Sequence, residues 1–125
     1  MKNILIEMKK EQIEKIISGQ KKYHYRDLLA KEEIQYIYLC EWDNKTVPMV
    51  IARVKVKDKL ILPINELWEK TKNFAGITKE FYDKYFLNKK IARAYELGEV
   101  EVFDKPYSIQ KYGIKYPPRK FLYIS

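Results

Sequence analysis

The sequence predicts an α+β fold: a small, curved, barrel-like sheet of five to six mostly antiparallel strands flanked by two or three helices. Three observations carry that expectation. Strand-type alternation runs from Val47 to Lys57, with Val50, Ala52, Val54 and Val56 on one face and Arg53, Lys55 and Lys57 on the other. Ile13, Ile16 and Ile17 recur at helical spacing just before Gly19. A length of 125 residues with 46% hydrophobic and 34% charged side chains fits one packed core, so residues 1–125 are expected to form one domain.

The elements follow in order. Ile4, Leu5 and Ile6 read as a short buried strand. Lys9 to Ser18 is the first helix, and Gly19 stands where a helix C-cap belongs. Lys21 to Arg26 is β-prone, with too little apolar content for a helix. A strand from Gln35 to Glu41 ends at Trp42, where Asp43, Asn44 and Lys45 supply a turn. Pro63 suits the start of a helix carrying Leu67 and Trp68. Thr78 is a fitting N-cap for the next helix, in which Phe81, Tyr82, Tyr85 and Phe86 are expected to form the buried stripe. Ile91 to Phe103 is strand-like, with Gly98 marking a bend, bulge or turn. Pro106, Gly113 and Pro117-Pro118 punctuate a loop-rich tail that ends in a closing strand, Phe121 to Ile124.

Charge and composition bound the function. Lys and Arg number 25 against 17 acidic residues, a net charge of +8, and a field of that sign favours polyanions. A lysine-rich composition with no polyanion partner explains the charge as well, so the motifs must decide. The lone Cys40, in an apolar run, rules out an internal disulfide and points to a cytoplasmic protein. One His and one Cys cannot build a zinc-finger type of metal site. The glycines are isolated, so no phosphate-cradling loop is expected, and neither is any cofactor. The sequence suggests no signal peptide, membrane span or membrane partner.

The stretch Ile16-Ile17-Ser18-Gly19-Gln20-Lys21-Lys22-Tyr23-His24-Tyr25-Arg26 resembles the signature of the ASCH family, a branch of the PUA-like superfamily. There an amphipathic helix ends in Gly and a Lys-Lys-x-x-(Glu or Thr)-x-Arg strand follows. Two further segments agree in order and spacing: residues 76–86, and residues 94–100 with the later Pro106 and Pro117-Pro118. The resemblance implies a PUA-like β-barrel with a cleft at one end, a fold associated with RNA and modified nucleosides. It does not fix an activity.

A relative within that family resembles an amidohydrolase of acetylated cytidine that uses the signature Lys, a Thr and a Glu. Here Lys21 matches, but His24 stands in the Thr position and Ala75 in the Glu position. An imidazole is a poor substitute for a hydroxyl nucleophile, and Ala handles no proton. The residues therefore favour a non-catalytic RNA- or nucleoside-binding module. Lys21, His24 and Arg26 would line the cleft, Trp42 its rim, and Arg53 and Lys55 would extend a track for the backbone. Tyr23 and Tyr25 also offer stacking faces, but weigh more as core. Strict alternation separates Lys22, His24 and Arg26 from Lys21, Tyr23 and Tyr25, unless a bulge intervenes. The enzyme alternative would rest on Lys21, His24 and a displaced carboxylate such as Glu41 or Glu80. A third reading is a protein-interaction domain of a transcriptional or translational regulator, with the basic surface incidental.

Overall fold

The computed structural model describes residues 1–124. In chain order the elements are β1 (Lys2–Met8), α1 (Lys10–Ile17), β2 (Tyr23–Tyr25), β3 (Ile34–Glu41), β4 (Met49–Pro63), α2 (Ile64–Thr71), α3 (Lys79–Tyr85), β5 (Ile91–Ser108) and β6 (Leu122–Ile124). Short 3-10 turns occupy Lys72–Phe74 and Ile109–Tyr112. The strands form a six-stranded mixed sheet in the order β2-β5-β4-β3-β1-β6. Every pairing is antiparallel except β1 with β3, whose connection crosses over through α1 and β2.

The alternation in β4 sets the inside of the sheet. Val50, Ala52 and Val54 are fully buried, and Ala52 and Val54 share a cluster with Ile13 and Ile16 of α1 and with Ile4 and Ile6 of β1. A second cluster joins Leu67 of α2 and Tyr82 of α3 to Tyr25, Ala75 and Ala94. A third holds Leu5, Cys40, Val50, Ile109 and Ile124 together, so β6 belongs to the same sheet as an edge strand beside β1. Cys40 packs as a small apolar residue, and burial pushes its thiol up to about 12.

Two sequence expectations are corrected. The sheet is open rather than a closed barrel: β2 and β6 are its edges, and no ladder joins them among the described residues. Each edge strand is three residues long, too little to zip a seam. The segment between β2 and β3 bridges the gap with side chains instead. Tyr123 Oη accepts from the Glu32 amide at 3.2 Å, Tyr95 Oη accepts from the Ala30 amide at 2.7 Å, and Lys120 pairs with Asp27 at 3.5 Å.

The second correction concerns α3. Thr78 does cap it, its hydroxyl accepting from Phe81 N at 3.1 Å, and Tyr82 and Phe86 are buried. Phe81, however, is 57% exposed. In a helix of seven residues the inward stripe is one residue wide per turn. Tyr82 and Phe86, at i and i+4, take it, and Phe81 lies about 100° away on the cylinder.

Candidate functional site

Lys21 is positioned by backbone before β2 begins. Gly19, at φ +84°, turns the chain out of α1. The Lys21 amide then donates to Lys15 O at 3.0 Å, and the Lys22 amide to Phe74 O at 2.8 Å. Lying ahead of the strand, Lys21 escapes its two-residue alternation, and this lets it share a cavity with His24 and Arg26. Its side chain is only 3% exposed, and Nζ donates to Ala75 O at 2.9 Å. The neighbouring Gly76 O accepts from Lys15 Nζ at 3.1 Å, so two ammonium groups sit on consecutive carbonyls. Gly76 makes this possible. It has φ +68°, and a Cβ there would lie 2.7–2.9 Å from the Lys21 stem.

A cavity of about 340 Å³ opens between α1, β2 and the start of α3. That is the small end of the range for small-molecule sites. Lys15, Lys21, His24 and Arg26 line its polar side, Ile77, Phe81 and Tyr85 its apolar side, and Glu11 supplies its one carboxylate. Phe81 and Tyr85 stack with planes 10° apart and centroids 6.3 Å apart. Arg26 forms no ion pair among the described residues. His24 Nε2 is shielded from solvent and has no hydrogen-bond partner among the described residues.

The electrostatics follow from this crowding of cations. Burial, reinforced by Lys15, lowers the Lys21 ammonium from 10.5 to about 7. Burial, with Lys21 and Arg26 adding repulsion, holds His24 well below its ordinary 6.5. Near neutral pH the site therefore contains a neutral imidazole and a lysine poised between its two forms, beside the Arg26 side chain.

The other sequence candidates lie elsewhere. Trp42 is in the β3–β4 turn, donating to Thr46 O at 3.2 Å with its ring 6.3 Å from that of Tyr116, and it lines no part of this cavity. Arg53 is spent on the outer sheet face, on Glu101 at 2.8 Å, on Tyr38 Oη at 3.2 Å, and over the Tyr36 ring at 4.0 Å. Lys55 is exposed and lines a neighbouring groove together with Lys21. Glu41 lies at the end of β3 against Met8 and Met49, and Glu80 is exposed on α3; neither lines the cavity. The Ala75 side chain is buried among Leu67 and Tyr82, and it is its carbonyl that meets Lys21.

Sequence reasoning missed Glu11, Lys15, Gly76 and Phe81. The signal for the first two was present: positions 11 and 15 are four apart in α1, hence on one helix face. Nothing in the sequence says which neighbour that face meets.

The fold has counterparts among solved structures. The ASCH protein of Zymomonas mobilis superposes with a TM-score of 0.87 over 98% of this chain and 87% of its own, at 19% identity. Its Tyr-to-Phe variant gives 0.87 over 100% and 91% at 18% identity. A Ser-to-Ala variant gives 0.86 over 98% and 88% at 19% identity. This chain has the ASCH fold. At that identity the likeness is one of fold, and no protein-family model and no curated protein sequence matches the chain. Among the described residues no helix is long and apolar enough to cross a membrane, and no three His, Cys, Asp or Glu residues gather as a metal site.

Proposed function

We propose that this protein binds RNA or a nucleoside without catalysis, taking an unpaired base into the cavity of Lys21, His24 and Arg26. The observation that carries the reading is His24, which lines a cavity together with the cationic Lys21 and Arg26 and whose Nε2 is a buried polar atom with no partner among the described residues. An unmet buried polar atom costs about 1–3 kcal/mol, which a ligand with a matching donor or acceptor recovers. The edge of a nucleobase carries such groups, and its flat faces suit the Phe81–Tyr85 wall. Arg26 is uncommitted and can donate bidentately to a base edge or a phosphate.

One observation favours an amidohydrolase of a modified nucleoside such as acetylated cytidine: an amine lowered to about 7 is matched to general-base work. The nucleophile is what that reading lacks. Of the three hydroxyls lining the cavity, Thr78 is engaged in capping α3, Tyr25 donates to Thr71 at 2.6 Å, and Tyr85 accepts from the Asp27 amide at 3.1 Å. Calorimetric titration with nucleosides and short single-stranded RNA separates the two. The binding module predicts saturable binding, weakened about tenfold or more by Lys21→Ala and by Arg26→Ala, with no acetate released from acetylated cytidine. Turnover that disappears in Lys21→Ala would establish the enzyme instead.

A further inference from the structure

Beside the cavity, on the other side of Lys21, runs a groove of about 640 Å³. Its walls are the end of α1 and the stretch of β4 and β5 around Gly98, and it contains Lys22, Lys55 and Lys57 against a single carboxylate, Glu99. Lys21 lines both the cavity and the groove, so the two meet at that residue.

The groove is produced by two compensating register shifts. Between the pairs Val54–Val100 and Val56–Leu97, β5 carries one residue more than β4; between Val56–Leu97 and Asp58–Glu96, β4 carries one more than β5. Such bulges re-aim side chains and are common next to functional sites. Here Lys55 and Lys57 extend over the bare backbone of Gly98, where a Cβ would lie 3.0 Å from Lys57 Cγ and 3.6 Å from Lys55 Cβ. A larger residue at position 98 would disturb the lysine stems. The heads are exposed and weakly committed. Lys57 has Glu96 at 3.6 Å, Lys22 lies 4.5 Å from the Phe74 ring centroid, and Lys55 has no ion pair among the described residues.

We infer that the groove holds the phosphate backbone of a single strand whose base occupies the Lys21–His24–Arg26 cavity, so that the ligand is a polynucleotide rather than a free nucleoside. This rests on the binding reading above. A row of exposed ammonium groups contiguous with a base-sized cavity matches the build of a strand, in which phosphates recur beside each base. A free nucleoside would fill the cavity and leave the groove empty.

The test compares nucleoside 5′-monophosphates with single-stranded RNA hexamers of the same base by calorimetry and fluorescence anisotropy, in the full chain. The hexamer is expected to bind at least about tenfold more tightly than the monophosphate. The Lys55→Ala/Lys57→Ala variant should remove that advantage, leave the affinity of the free nucleoside, which carries no phosphate, unchanged, and make the slope of log affinity on log salt shallower by about 1.4, the counterion release of two phosphate contacts on a single strand. Lys21→Ala should weaken both ligands. Equal binding of monophosphate and hexamer, or a length advantage that survives in the double variant, would overturn the inference while leaving the cavity's role intact. Binding of polyglutamate as tightly as RNA would overturn it in favour of a general polyanion surface. If no monophosphate and no hexamer binds, the parent reading fails and this one with it.

Discussion

Replacing Lys21 by Met should stabilise the protein at pH 6 and make almost no difference at pH 9. The residue is only 3% exposed, and burial lowers its ammonium from 10.5 in the free chain to about 7. Holding the proton in the fold therefore costs about 5 kcal/mol at any pH below 7, at about 1.4 kcal/mol per pH unit. The sign follows from linkage. Between about 7 and 10.5 the unfolded chain binds the proton and the folded one does not, so stability rises with pH across that window. From pH 6 to 9 the wild-type gain is about 2.5 kcal/mol. Met keeps the stem that packs under Gly76 and carries no charge, so the variant gains nothing from Lys21 over the same range. It does lose the hydrogen bond to Ala75 O, a cost of about 1–3 kcal/mol that shifts its whole curve without tilting it. Urea denaturation of both proteins at pH 6, 7, 8 and 9 reads the difference directly. The difference should shrink by about 2.5 kcal/mol from pH 6 to 9, while Lys21→Met binds nucleosides poorly throughout. A difference constant with pH would refute the reasoning, because Lys21 would then titrate alike in the folded and unfolded states.

Three other outcomes follow from the same geometry. His24, held well below 6.5 by burial and by Lys21 and Arg26, should cost stability as pH falls below 6.5, by up to about 1.4 kcal/mol per pH unit; in His24→Gln, denaturation midpoints between pH 6.5 and 5.5 should lose that dependence. Gly76→Ala places a methyl 2.7–2.9 Å from the Lys21 stem in a left-handed backbone and should cost about 3 kcal/mol by thermal melting. The matched control is Gly113→Ala, equally left-handed at φ +76° with nothing within 4 Å, which should cost only the backbone share of about 1–2 kcal/mol. Thr78→Ala removes the acceptor of the Phe81 amide and should cost about 1 kcal/mol, with Thr78→Ser recovering most of it and amide exchange at Phe81 reporting the loss.

Much of the fold is legible in the sequence because it depends on local rules. The β4 alternation, the turn at Gly19, the cap at Thr78 and the irregularity at Gly98 each follow from side-chain periodicity or backbone sterics within a few residues. The motif from Ile16 to Arg26 likewise marks Lys21 and Arg26. Closure of the sheet is a different kind of property. It depends on whether two three-residue edge strands approach each other, a relation between residues about a hundred positions apart. Local pattern carries no information about it. The same limit explains Phe81, which is as apolar as Tyr82 and is exposed because the narrow inward face of a seven-residue helix was already taken.

What the sequence determined by itself was the class of fold, the order of its elements, the excess of positive charge, and the pair of cations worth watching. What only the tertiary structure decided was their company. Lys21 and His24 look incompatible in a strand, yet they line one cavity because Lys21 lies ahead of β2, where its amide donates to Lys15 O and the next amide, of Lys22, donates to Phe74 O. Gly76 looks like an ordinary turn glycine until the Lys21 stem is seen packed where its Cβ would be. Trp42, the aromatic residue expected at the rim, lies in a different turn, and Phe81 lines the cavity instead. Distances between side chains remote in sequence are set by packing of the whole chain, and the pKa values that make Lys21 and His24 chemically distinctive arise from those distances and from burial.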